Sequence, residues 1–359
     1  MVDKLIIQAL EETDTAYMVG YSKDSKPEYF IKYSISLSST LESIFLAKVV
    51  DINNKNKTAF VNYSEDKIGF VNLNQSKNQN LQKGSQLSCQ LTWLGDDSKL
   101  AKLEDNINFV GRYVILVNRN IHKFACDKTL EIREIANKYL DYGVIFRSSI
   151  NSLTDLSIVD DELQQLINKM DEVLRISISK SSVQCLEQGL PFYLQVLRNL
   201  RYSEEIHIIT NCQSVFDNIL PYMDLWQIDQ LTIDKRLQTD IVSLNNLVHQ
   251  NIISHNNYSL EIHKLSGINL IDINSGAGYP GTSKLSFYQV NYLAIEEIVR
   301  QIKLRDLSGI ILLDFIKNMT FAEKQQIYNR LEMLFKDDWR HVRLLGFTNA
   351  EIFEIIRNK

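Results

Sequence analysis

A chain of 359 residues, 45% apolar and 23% charged, can bury a sizeable core in roughly two to four compact parts. Its formal charge of −5 excludes a protein coated in basic surface, so any nucleic-acid contact must come from local basic patches. The four cysteines have no CxxC spacing, which argues against a zinc knuckle or a disulfide framework and fits a reduced, cytoplasmic protein. The short apolar start runs at once into Glu11, Glu12 and Asp14, unlike a signal peptide, and no run of 18 apolar residues could span a membrane.

Residues 4–35 read as three strands, LIIQAL, AYMVGYS and EYFIKYSIS, joined by the polar turns EETDT and KDSKP. Residues 43–103 hold four or five more short strands, SIFLAKVVDI, TAFVNYS, KIGFVNL and QLSCQLTWL, broken by turns such as NNKNK. Closely spaced strands of this kind predict a small barrel. Phe60 and Phe70 fall where they can share an exposed face, with Lys48 nearby on the first strand. Aromatics and lysines on an OB-type barrel stack and neutralise single-stranded nucleic acid, although aromatics in short strands otherwise belong to the core.

After NFVGRYVILVNR (108–119) the pattern changes. Residues 129–141 and 159–175 predict helices around the strand 142–149. Leu163, Ile167 and Met170 stand at helical spacing, with Asp160 or Asp161 as the cap. Arg147 and Ser148 close the apolar run GVIF, where a guanidinium beside a hydroxyl can hold a phosphate or can simply end a solvated strand. Residues 186–263 alternate helix (PFYLQVLRNL) and strand (EIHIIT), then turn irregular through VHQNIISHNN.

The last ninety or so residues carry the clearest chemistry. In GINLIDINSG (267–276) Asp272 and Asn274 alternate with Ile271 and Ile273, so both polar groups lie on one face of a strand. GIILLDFI (309–316) is an apolar strand interrupted only by Asp314. A helix at 285–304, with Ile295, Ile298, Val299 and Ile302 as its stripe and Glu296 spaced to pair with Arg300, would make a βαβ unit. The two strands are then parallel, and Asp272 and Asp314 sit side by side at their carboxyl ends with Asn274 beside them. Two carboxylates and an amide suit a hard cation such as magnesium and suit zinc poorly. The plainer alternative is an Asx turn at Asp272 and a lysine partner for Asp314. A helix at 320–335, the strand HVRLLGFT and a closing helix complete the chain. The loop GAGYPG (276–281) formally matches GxGxxG, but Pro280, Thr282 and Ser283 delay the next helix, so a plain loop is the better reading.

These residues together resemble the ribonuclease E/G family of bacterial endoribonucleases. The match rests on Ile271-Asp272-Ile273-Asn274-Ser275 and on RQIKLRDLSGIILLDFI (300–316), with TNAEIFEIIRNK (348–359) similar to the family's last catalytic helix, keeping Thr348, Glu354 and Arg357. The resemblance implies an α+β, α/β multidomain chain. A ribonuclease-H-like fold (1–38 and 186–250) is interrupted by an S1-like OB barrel (39–105) and a 5′-sensor-like region (106–185), and a deoxyribonuclease-I-like catalytic part (251–359) follows. It implies that Asp272 and Asp314 bind the catalytic magnesium, with manganese able to stand in, and that Asn274 supports them. Phe60 and Phe70 fall on the family's RNA-stacking aromatics, Lys99 and Lys102 resemble its basic segment, and Arg147-Ser148 stands at its 5′-monophosphate sensor.

Three departures are plain. Lys317 replaces the second acid of the family's DFID, Leu293 stands where a Glu is usual although Asn291 is kept, and LSGIN replaces TEALT. The paired-cysteine zinc link is missing, so a zinc-linked tetramer is not expected and a homodimer stays open. The expectation is a magnesium-dependent endoribonuclease for single-stranded RNA, acting in RNA processing or decay and leaving a 5′-phosphate on the downstream product. The alternatives are a family member that binds RNA with weakened catalysis, and a nucleotide-dependent enzyme built on GAGYPG.

Overall fold

The computed structural model describes residues 1–10, 13–35, 41–76, 81–95, 99–117, 121–265, 267–275, 285–336 and 338–358. The loop GAGYPG lies outside the described residues. The first strands are β1 (Val2–Ala9), β2 (Thr15–Tyr21), β3 (Pro27–Ser34), β4 (Ile44–Asn53), β5 (Thr58–Ser64), β6 (Lys67–Asn72), β7 (Gln86–Trp93) and β8 (Ala101–Glu104). Next come β9 (Asn108–Val110), β10 (Val114–Val117), β11 (His122–Phe124), α1 (Thr129–Ala136), β12 (Gly143–Phe146), α2 (Ser157–Ser179), β13 (Gln184–Glu187) and α3 (Phe192–Asn199). There follow β14 (Tyr202–Thr210), α4 (Gln213–Ile219), β15 (Gln230–Ile233), α5 (Ile241–His249), β16 (Ile252–Ser254), β17 (Tyr258–Lys264) and β18 (Ile268–Ser275). The last are α6 (Phe287–Leu304), β19 (Gly309–Asp314), α7 (Phe321–Phe335), β20 (Val342–Phe347) and β21 (Ile352–Arg357).

The chain forms two compact units. The first is discontinuous, combining Met1–Tyr33, Asn199–Met223 and Gln227–Lys359. It holds a five-stranded sheet of order β15-β14-β1-β2-β3 and a six-stranded sheet of order β16-β17-β18-β19-β21-β20. In the six-stranded sheet every second residue turns to one face. Ile271, Ile273, Ile311, Leu313, Phe353 and Ile355 pack there against Ile295, Ile298 and Ile302 of α6 and Ile327 and Leu331 of α7. The helices start where local chemistry demands: Ser286 and Thr320 each accept from the third helical N–H, and Gln289 and Glu323 bond back in capping boxes. Arg357, wholly buried at the end of β21, meets Asp338 and Asp306 at 2.7 Å each.

The second unit comprises Ser34–Arg198 with Asp224–Trp226. Strands β4-β5-β6-β8-β7 form a row whose ends meet, because β7 pairs back onto β4, so the five close into a barrel of OB-like kind. Inward residues such as Val49, Val61, Val71, Leu91 and Leu103 fill it. Gly69 allows β6 to lie against β8, since a Cβ there would meet Leu103 Cδ1 at 2.3 Å. The remainder of the unit packs the sheet β11-β12-β10-β9 against α2 through Val114, Leu116, Val144, Phe146, Leu163 and Ile167. Glu162 of α2 is buried and accepts the backbone N–H groups of Arg112, Tyr113 and Val114 at 2.7, 2.7 and 3.0 Å. Only glycine fits at position 111, where a Cβ would stand 2.5 Å from that carboxylate.

Four sequence expectations change. The closing segment is the strand β21, not a helix: Phe353, Ile355 and Arg357 are buried while Ile352, Glu354 and Ile356 alternate outward, a two-residue period. The stretch expected to be irregular, VHQNIISHNN, holds the end of α5 and the strand β16. Arg300 pairs with Glu297 at 2.6 Å, because Glu296 is taken by Arg330 of α7. Helix α2 begins earlier than expected, at Ser157, so Asp160 lies in its first turn and holds Lys138 and Tyr139 instead of capping.

Candidate active site and nucleic-acid face

Strands β18 and β19 are parallel neighbours whose register sets Asp272 directly beside Asp314. The crossover between them is α6, as a βαβ connection requires. Both carboxylates are half-buried on the face of the sheet away from α6 and α7. Asn274 Nδ2 donates to Asp272 Oδ2 at 2.9 Å, which fixes the carboxylate and leaves the amide oxygen without a protein partner among the described residues. No lysine or arginine among the described residues pairs with Asp272 or Asp314. Across β17 the register neighbour of Asp272 is Glu261, whose Oε1 lies 2.9 Å from His263 Nε2.

This donor set fits one ion type better than others. Among the described residues no group of three or more His, Cys, Asp or Glu is gathered for a metal. Among the described residues Asp272, Asp314 and Asn274 offer two carboxylates and an amide oxygen, a donor set of the kind magnesium takes with several waters and zinc does not. Lys317, three residues past Asp314, is exposed.

Asn291 has a role that sequence spacing did not reveal. Fully buried in α6, it donates to Ile316 O at 2.8 Å and accepts from Ile316 N at 3.0 Å. That two-way clamp fixes the backbone just beyond Asp314. An asparagine amid an apolar helical stripe was the available signal, since a buried amide needs partners.

On the barrel, Phe60 and Phe70 stand directly opposite one another in the β5–β6 pair. Both are half-exposed and outside the interior cluster. Lys102 is the register neighbour of Phe70, and its Nζ contacts Glu104 at 2.6 Å. Lys48 is exposed and pairs in register with Asn62, one step along the same outer surface. Lys99 is exposed ahead of β8 and does not join the row.

Arg147 and Ser148 remain adjacent at the end of β12, but the guanidinium turns inward. Its Nη1 donates to Gly111 O at 2.6 Å. Burial, with Arg198 and Arg112 close by, pushes this guanidinium down to about 10, against the opposing pull of Glu162 and Glu42. Arg198 in turn grips Glu42 with two bonds of 2.9 and 2.7 Å. Ser148 opens a short 3-10 turn in which Ser149 Oγ donates to Arg112 O at 2.6 Å.

A closed five-stranded OB-like barrel, with an open sheet presenting two adjacent aspartates at one edge, defines a mixed α+β chain. The chain belongs to the ribonuclease E/G family, whose model matches residues 108–359. It is similar to ribonuclease E of Synechocystis sp., at 22% identity over 87% of this chain and 50% of the relative. Ribonuclease E of Buchnera aphidicola subsp. Acyrthosiphon pisum is 23% identical over 88% of this chain and 39% of the relative. A putative ribonuclease E of Buchnera aphidicola subsp. Baizongia pistaciae is 22% identical over 88% of this chain and 85% of its own length. The chain thus spans half or less of the first two relatives.

Proposed function

We propose that this chain is a magnesium-dependent endoribonuclease acting on single-stranded RNA. The observation that carries the reading is the register pairing of Asp272 with Asp314, steadied by Asn274 and unshared with any cation of the described residues. Family membership supports it. Asp272 and Asp314 hold the ion, with manganese able to replace magnesium, and Asn274 orients the first carboxylate. When bound, the ion supplies Lewis-acid activation of water and offsets charge at the scissile phosphate. Asn291 keeps the backbone after Asp314 in place, so the carboxylate spacing is preserved as substrate enters. Phe60 and Phe70 stack bases, and Lys48, Lys99 and Lys102 neutralise phosphates. Hydrolysis would leave a 5′-phosphate on the downstream fragment. Arg147 and Ser148 would favour RNA with a 5′-monophosphate.

The flanking parts are read in keeping with this. The sheet that combines β1–β3 with β14 and β15 is the ribonuclease-H-like part, and the sheet carrying Asp272 is the deoxyribonuclease-I-like part. A second reading, RNA binding without cleavage, draws on Lys317, a cation where the family pattern places a second acid. Incubating the chain with a 5′-labelled single-stranded RNA, with and without magnesium, separates the two. Magnesium-dependent fragments support the nuclease, and binding without fragments supports the alternative.

A further inference from the structure

We infer that Trp93 is a third base-stacking platform on the barrel, extending the track of Phe60 and Phe70 across a fourth strand. The inference rests on the reading of the barrel as an RNA-binding face. Strand parity alone sends Trp93 the other way. Leu87, Cys89 and Leu91 are buried inside the barrel, and a regular alternation would place Trp93 inside with them. The ladder is not regular there. Leu91 pairs with Leu103, and the next pair is Trp93 with Lys102, so Thr92 is an extra residue in β7. This bulge turns Trp93 to the outer surface, where it is half-exposed beside exposed Thr92 and Leu94. Bulges of this kind re-aim side chains and cluster next to functional sites.

The consequence is a continuous row. In register order it reads Asp51, Phe60, Phe70, Lys102, Trp93. At about 4.8 Å per strand, Phe60 and Trp93 are about 14 Å apart, with a lysine between the second ring and the third. Aromatic faces separated by a cation match a single strand, whose bases stack while the intervening phosphate seeks positive charge. Glu104 contacts Lys102 at 2.6 Å, yet both side chains are about a third exposed, so the pair is weak and exchangeable for a phosphate contact. Asp51 lies at the far end, beyond Phe60, and marks that edge of the track. The indole has the largest π-face of the three rings and needs no particular base.

Binding of a labelled single-stranded oligonucleotide, without divalent ions so that no cleavage intervenes, tests this. The intact chain would be compared with Phe60→Ala, Trp93→Ala and Trp93→Phe. Phe60→Ala and Trp93→Ala should each weaken binding about tenfold, and Trp93→Phe about twofold. RNA should quench tryptophan fluorescence in the intact chain and in Phe60→Ala at saturation. The quenching should vanish in Trp93→Phe although that variant still binds. If Phe60→Ala weakens binding while Trp93→Ala does not, Trp93 is no platform and the inference is overturned alone. If neither changes binding, the RNA-binding reading of the barrel is overturned with it. Should Trp93→Ala fail to fold by circular dichroism, the fluorescence of Trp93→Phe decides: persistent quenching overturns the inference.

Discussion

The open sheet and the barrel both arrange candidate functional side chains in rows across strands, but they do so under different rules. In the sheet, β18 and β19 alternate without interruption, and counting by two places Asp272, Asn274 and Asp314 on one face. In the barrel the ladder slips between Val49 and Asp51 and again between Leu91 and Trp93. A slip by one residue reverses the face of everything beyond it. Rows in regular strands are therefore legible from sequence, whereas rows that cross a bulge are not. The sheet commits its row to fixed charges, and the barrel commits its row mainly to half-exposed aromatic rings.

Removing a charge from the sheet's row should have the largest effect on function. Asp272→Asn should lower cleavage by on the order of a thousandfold, because one of the two carboxylates proposed to hold the ion is lost. RNA binding, measured separately, should stay within about twofold of the intact chain. A parallel loss of binding would show that the two regions are not separable in function.

The next effect is on the sheet's frame. Arg357 bridges Asp338 and Asp306, so Arg357→Met leaves the enclosed Asp338 carboxylate without its cation, while Asp306 keeps Arg340. Such a break typically costs about 3–5 kcal/mol, to be read from the denaturant midpoint. A change under 1 kcal/mol would mean that the pair contributes little net stability.

Legibility followed physical lines. The adjacency of Asp272 and Asp314 was readable because a helix between two apolar strands leaves essentially one handed, parallel solution. The closing strand was missed because Ile352, Ile355 and Ile356 also satisfy helical spacing, and only pairing with β19 and β20 decides. Arg300 was misassigned because Glu296 and Glu297 are both within reach along one helix, and α7 settles the choice with Arg330. Arg147 looked like a strand terminus. It does close β12, but its guanidinium turns inward to Gly111 O, among the charges of Arg198 and Glu162, residues distant in sequence that spacing cannot bring together.

Breaking the barrel's row should come third. Phe60→Ala or Phe70→Ala should weaken single-stranded RNA binding by about 1–3 kcal/mol per stacked base, with the barrel still folded. An unfolded variant would return these rings to a core role.

Acid exposes the frame more gently. Burial alone would raise the Asp306 carboxyl, but the guanidinium groups of Arg340 and Arg357 outweigh it and hold the group below its ordinary value of 3.8. A depressed carboxylate stabilises the fold fully above its unfolded value and loses that contribution as pH falls through the folded one. Stability should therefore decline below about pH 4, and Asp306→Asn should flatten that decline while lowering stability at neutral pH. Unfolding midpoints taken at steps from pH 6 to pH 3 would check both parts.

The smallest effect belongs to the end sensor. Arg147→Ala should erase a modest, few-fold preference for 5′-monophosphorylated over 5′-hydroxyl RNA. Equal rates on both substrates with Arg147 present would leave it a purely structural residue of the Glu162 network.

Whether Asp272 and Asp314 form one magnesium site that cleaves RNA is decided by following a 5′-labelled single-stranded RNA across a magnesium titration, with Asp314→Asn beside the intact chain. Fragments should rise with magnesium in the intact chain and stay near background in the variant at every concentration. Equal cleavage by the two proteins, or cleavage indifferent to magnesium, would contradict such a site.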